Sequence, residues 1–249
     1  FFGVFTLIGL YVGVVPVAIG LLWFPFLRRL ERRWIHFALA LTAGLLVFLG
    51  VDAIHEALEA AESVAGAFQG TVAVAVAALG TLLLLQMAAR RRLSSEGAPA
   101  RQAVAYLIAL GIGLHNLGEG LAIGAAYSLG EASLGAFLVV GFMLHNSTEG
   151  LGIVAPIAQD RPSIKTLAGL GLLAGGPTIL GAWIGGLAYS PLWATLFLAV
   201  GAGAIAQVVI ALYRIVARET PGTVWTPLTA GGVLAGMRVM YATGLLVAA

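Results

Sequence analysis

The sequence predicts an all-α membrane protein of eight transmembrane helices with both termini outside. Three observations predict it. Of the 249 residues, 60% are hydrophobic and only 10% charged, with a mean hydropathy of +1.01, where a soluble domain carries about 25% charged residues. The apolar residues fall into eight runs of 20 or more, long enough at ~1.5 Å per residue to cross a hydrocarbon layer of ~30 Å. The basic residues, all but one, lie in or beside the loops between alternate runs.

The runs are expected at 1–26, 34–62, 70–89, 102–128, 132–158, 166–189, 192–216 and 227–247, in one polytopic domain over 1–249. The chain opens on Phe1, so the native start is expected upstream of this numbering. Pro16 is expected to kink the first span. Arg28, Arg29, Arg32 and Arg33 form a basic loop before the second span. Trp34 and His36 open that span as interfacial residues, and its far end is acidic, with Asp52, Glu56, Glu59 and Glu62. The third span ends in Arg90-Arg91-Arg92 and the turn-rich stretch from Ser94 through Glu96 to Pro99. Leu129-Gly130-Glu131 makes a tight turn between the fourth and fifth spans, and Asp160-Arg161-Pro162 closes the fifth. The sixth carries Gly175-Gly176-Pro177, a second expected kink, and Ser190-Pro191 turns into the seventh. The last loop, Arg218-Glu219-Thr220-Pro221-Gly222, leads to the eighth. The 34 glycines suit close packing between membrane helices.

Twelve of the 13 basic residues lie in or beside the loops after spans one, three, five and seven. The positive-inside rule makes those loops cytoplasmic and puts both termini outside. A multi-pass protein of the cell membrane is expected, the inner membrane in a Gram-negative cell. The arginine clusters set orientation and meet anionic lipid, and nucleic acid is not an expected partner. The exception is Arg238, inside the eighth span, where an unpaired charge is costly. It is expected to pair with Asp52 or Glu56, to snorkel to an interface, or to stand in for a metal charge.

Within the fourth span lies His115-Asn116-Leu117-Gly118-Glu119-Gly120, and within the fifth His145-Asn146-Ser147-Thr148-Glu149-Gly150. The frame is His, Asn, two variable residues, Glu, Gly in both. Residues four apart share a helix face, so His115 is expected beside Glu119 and His145 beside Glu149. Both motifs fall near mid-membrane on adjacent antiparallel spans joined by a short turn, so they are expected to meet at one depth. Ionisable groups at that depth are functional as a rule. His115, Asn116, Glu119, His145, Asn146 and Glu149 form a ligand set for a borderline divalent metal. The chain has no cysteine, which leaves nitrogen and oxygen donors. Neutral His and Asn with two ionised Glu balance one divalent cation, so one ion per chain is expected.

On these motifs the chain resembles the Zrt-/Irt-like protein (ZIP) family of divalent metal transporters, as a divergent bacterial-type member. Ile54-His55-Glu56-Ala57-Leu58 on span two is similar to the family's Leu-Pro-Glu-Ala-Leu, with His in place of Pro. The resemblance implies a metal site on helices four and five, a homodimer, an elevator-like movement of one helix bundle against another, and metal moving toward the cytoplasm. The chain departs from the family at Gly118 and Thr148, where Pro is usual before the Glu. It departs again at Gly176-Pro177, where many members have Glu-Pro, and near Gln207, where many have acidic residues. The loop from Arg90 to Arg101 lacks the His residues common there.

The expected function is therefore transport of a divalent cation by alternating access. The metal is the substrate: zinc first, with cadmium, cobalt, iron and manganese open. Asp52, His55 and Glu56 fall at i, i+3 and i+4 and form an entry or secondary site on one face. No further acid, base or nucleophile stands beside the motifs, so the chain is not expected to be an enzyme. An intramembrane metalloenzyme that activates water at the same ion is one alternative. A transport-inactive metal sensor or assembly protein is the other, favoured by the missing sixth- and seventh-span carboxylates.

Overall fold

The computed structural model describes residues 2–66, 69–92, 97–220 and 222–248, with the side chains of 90–92, 243 and 246–248 left out. Phe1, Ser94, Ser95, Glu96 and Pro221 thus lie outside the described residues, as do the side chains of Arg90, Arg91 and Arg92.

The described residues form eight long helices. They are α1 (Phe2–Leu27), α2 (Arg32–Glu62), α3 (Gly70–Arg92), α4 (Ala98–Ser128), α5 (Ala132–Val154), α6 (Ile164–Ala188), α7 (Pro191–Glu219) and α8 (Pro227–Ala248). Among the described residues, α1 to α7 each hold a stretch long and apolar enough to cross a membrane. The protein is a multi-pass membrane protein. Helices α2, α3, α4 and α7 run past the apolar limits read from the sequence, because arginines at their ends continue the helical register rather than leaving it. Pro99 in the first turn of α4, Pro191 in α7 and Pro227 in α8 occupy positions that need no N–H donor. Ser163 Oγ accepts the Thr166 N–H at 3.1 Å and caps α6.

Three helices are broken where proline removes a donor. In α1 a π-helical turn, Leu10–Val14, precedes Pro16. In α6 the segments Ile164–Gly175 and Pro177–Ala188 meet at Gly176. Helix α5 tightens at Pro156 into a 3-10 turn, Ala155–Ile157.

The turn between α4 and α5 has the hydrogen bonds of a Schellman motif. Glu131 N–H donates to Ala126 O at 2.9 Å and Gly130 N–H to Tyr127 O at 3.2 Å. Gly130 sits at φ 82°, a conformation that favours glycine. His115 and His145 are each 15 residues from Gly130, so the hairpin brings them to one depth.

The helices pack in two sets. Helices α1, α4, α5 and α6 pack chiefly on one another, and α2, α3, α7 and α8 do the same. Helix α4 against α7 is the main contact between the sets. The last residue of each motif explains itself here. A Cβ on Gly120 would stand 2.1 Å from Thr178 O of α6, and one on Gly150 2.2 Å from Val17 O of α1. Only glycine lets those backbones approach so closely.

One end of the molecule is basic and braced by ion pairs. Arg101 at the start of α4 makes a two-pronged pair with Asp160 after α5, its Nε donating to Oδ2 at 2.9 Å. His36 Nε2 lies 3.0 Å from Glu219 Oε2, and Arg32 Nε 3.8 Å from the same oxygen. His36 is thus tied into an interhelical contact, which corrects its reading as a plain interfacial residue. Arg238 lies exposed on the outer face of α8, and no hydrogen bond or ion pair joins it to Asp52 or Glu56. The expected pairing is not formed, because the α8 face that meets α2 is built by Gly232, Gly236 and Met240 instead.

Candidate metal centre

All six motif side chains converge. Asn116 and Asn146 are fully buried, and His115, Glu119, His145 and Glu149 are 3–9% exposed. Glu119 is the hub. Its Oε1 accepts from His115 Nε2 at 3.0 Å and from His145 Nε2, and its Oε2 accepts from Asn146 Nδ2 at 3.0 Å. Glu149 Oε2 accepts from Asn116 Nδ2 at 3.1 Å. The i, i+4 spacing thus pairs His115 with Glu119 as expected. It does not pair His145 with Glu149: His145 reaches across to Glu119, because the hairpin register sets it opposite that carboxylate.

Two backbone carbonyls complete the arrangement. Asn146 Nδ2 donates to Val12 O of α1 and Asn116 Nδ2 to Ala174 O of α6, each at 3.1 Å. The α1 carbonyl is available for a reason written in the sequence. Pro16, four residues on, has no N–H to offer Val12 O. Ala174 lies in the turn before the Gly176-Pro177 break. Sequence reasoning found both kinks but not their use as acceptors for the two amides.

With every amide N–H engaged, the Asn oxygens are left over. Asn116 Oδ1, Asn146 Oδ1, Glu149 Oε1 and His115 Nδ1 are buried with no hydrogen-bond partner. Buried polar atoms are rarely left so; the three oxygens offer lone pairs, and His115 Nδ1 does so when its imidazole is neutral. One ligand atom each from His115, Glu119 and His145 lies within 4.8 Å of the others. Ligands on a tetrahedral zinc stand about 3.3 Å apart, given bonds of about 2.0–2.1 Å, so small shifts of these side chains would set them around one ion. Phe142 covers His145 edge-on, with ring centroids 5.5 Å apart. Helix α7 backs the site, since a Cβ on Gly201 would come 3.0 Å from His115 Cα.

The acidic group on α2 is divided. Asp52 and Glu56 line a cavity of about 160 Å³ between α2, α5 and α8, and His145 lines it too. His55 does not join them. It is exposed, with Nδ1 3.9 Å from Glu59 Oε1, on the neighbouring face of the helix. A larger cavity of about 520 Å³ between α2, α3 and α7 is lined by aliphatic residues and carries no donor set for a metal.

The fold and the site define a multi-span helical membrane protein with a buried His/Glu cluster suited to a metal ion. No protein-family model matches the chain, and no curated protein matches it by sequence.

Proposed function

We propose that this chain carries a divalent cation, zinc first, through a cell membrane, working as the ZIP transporters it resembles do. The observation that carries this reading is the four buried polar atoms, left without partners around a His115/Glu119/His145 cluster. Purely structural interhelical hydrogen bonding would satisfy those atoms rather than strand them. Two ionised Glu against one divalent ion give a neutral site, which a low-dielectric interior favours. Transfer of the ion uses the cavity beside Asp52 and Glu56 as its approach, and His145 at the cavity wall as the first contact. The division into two helix sets, with the whole ligand group on one of them, suits a bundle that moves with its ion.

The test is flux into liposomes for zinc, cobalt, cadmium, iron(II) and manganese, each offered to wild type and to Glu119→Ala/Glu149→Ala. Zinc uptake by the wild type that vanishes in the double variant is expected. Tight zinc binding with no flux of any ion would replace this reading with a metal sensor, and hydrolysis of lipid or peptide without flux with a metalloenzyme.

A further inference from the structure

A groove runs along the outside of the contact between α2 and α7. Helix α3 packs on α7 and helix α8 on α2, but α3 and α8 make no comparable contact with one another. The floor between them is left uncovered. It is deepest where its side chains are shortest: Gly50 of α2, Ala78 of α3 and Ala202, Gly203 and Ala206 of α7 line the cavity of about 520 Å³. A smaller cavity of about 110 Å³ lies toward the basic end, against Ala40, Ala43, Tyr213 and Trp225. Val47 and Val209 wall both cavities, so the two form one continuous groove.

Depth and charge select what fills it. Arg33, Ala40 and Val47 stand seven residues apart on one stripe of α2. From Arg33 to Val47 is ~21 Å at ~1.5 Å per residue, half of a bilayer of ~40–45 Å with its head-group layers. The groove thus spans one leaflet, with arginine at head-group level and its widest part at mid-membrane. Tyr213 and Trp225 stand exposed at the mouth, where aromatic rings meet the head groups. Arg32 lies 3.8 Å from Glu219 and Arg33 2.8 Å from Glu31, and both arginine side chains are 66% exposed. Exposed pairs of this kind contribute little, so both guanidinium groups remain available to a phosphate. The far end of α2 is acidic, with Asp52, Glu56, Glu59 and Glu62, and would repel one.

We propose that the groove holds one acyl chain of an anionic phospholipid from the leaflet at the basic end, its phosphate against Arg32 and Arg33. Bulk lipid tails are as apolar as the groove, so no hydrophobic term favours entry. Retention comes instead from filling a concavity whose walls would otherwise lack contacts on one side, and from the head-group charge meeting the arginines. A second copy docked two-fold over the groove would bring its own arginines to the same mouth, where like charges oppose it. The seated chain joins α3 to α8, which the protein itself leaves apart.

Native mass spectrometry of the full chain reads occupancy directly, with palmitoyl-oleoyl phosphatidylglycerol or the phosphatidylcholine of the same chains added to the purified protein. The wild type should retain one phosphatidylglycerol per chain and prefer it by about tenfold, on two arginines near the surface. Val47→Phe and Val209→Phe fill the waist of the groove from opposite walls, at half-buried positions, and each should lose most of the retained lipid of either kind. Arg32→Gln/Arg33→Gln should keep a lipid but lose the preference between head groups. Phosphatidylglycerol should also raise the wild-type thermal midpoint more than phosphatidylcholine does, while the arginine variant responds equally to both. Undiminished retention in the phenylalanine variants, or a wild type indifferent to head group in both measurements, would overturn the proposal. So would a dimer that Val47→Phe dissociates with lipid retention unchanged, which would give the groove to a second copy. Neither measurement involves metal or flux, so the lipid site and the transporter reading fail separately.

Discussion

Asn116 donates to Glu149 at 3.1 Å while Asn146 donates to Glu119 at 3.0 Å, so each motif's amide holds the other motif's carboxylate. The remaining N–H of each amide goes to a carbonyl on a third helix. Losing either amide strands a carboxylate oxygen and a carbonyl together, at about 1–3 kcal/mol for each unsatisfied buried group. Asn116→Leu and Asn146→Leu should each lower the thermal midpoint in detergent by about 5–10 °C, since 1 kcal/mol moves a domain of this size by about 2–4 °C. Scanning fluorimetry measures it. No shift in either variant would mean that the cross-bonds do not hold the hairpin together.

The two glutamates are chemically alike and differently placed. Glu119 meets both imidazoles and Asn146, whereas Glu149 meets Asn116 alone. Glu119→Gln should therefore abolish zinc binding, and Glu149→Gln should weaken it by about 10- to 100-fold, the usual effect of losing a supporting group. Titration calorimetry on purified protein compares them. Equal losses would show that both carboxylates ligate on the same footing.

Metal and protons compete for the imidazoles. Ligation needs neutral His. Zinc uptake should thus weaken in acid, falling steadily as pH is lowered from about 8 to about 5, since a proton competes with the metal at each of two imidazoles. A flat profile over this range, measured in liposomes without a pH gradient, would remove His115 and His145 from the ligand set.

Helix contact is the third requirement. A Cβ on Gly120 would sit 2.1 Å from Thr178 O, so Gly120→Ala must push α4 and α6 apart. Overpacking of this kind costs about 1–3 kcal/mol. Because Glu119 is the adjacent residue, zinc affinity should drop along with stability. A variant as stable and as tight-binding as the wild type would show that the contact yields easily.

Much of this was legible in the sequence. Length, apolar runs and the alternation of arginines define eight helices, and the repeated frame with its short turn brings His115 and His145 to one depth. What could not be read was which partner each side chain selects. Spacing along one helix predicts His145 beside Glu149, but the rotation of α5 against α4 decides, and it gives His145 to Glu119. Asp52, His55 and Glu56 share a stripe by periodicity, yet the placement of α2 against α5 and α8 brings only Asp52 and Glu56 to the cavity wall. Arg238 invited an acidic partner by its depth, and helix packing turned it outward. The carbonyls of Val12 and Ala174 are invisible to any reading of side chains, though Pro16 marks the first of them.

Each amide hydrogen of Asn116 and Asn146 is committed to a carboxylate or a carbonyl, and each imidazole faces Glu119 through Nε2. The two amides therefore have no N–H to extend toward an incoming species. Chloride, phosphate or a metal-bound anion would find no amide donor there. On the transporter reading, a cation passing through this centre would leave its counter-ion behind and move net charge unless protons travelled the other way.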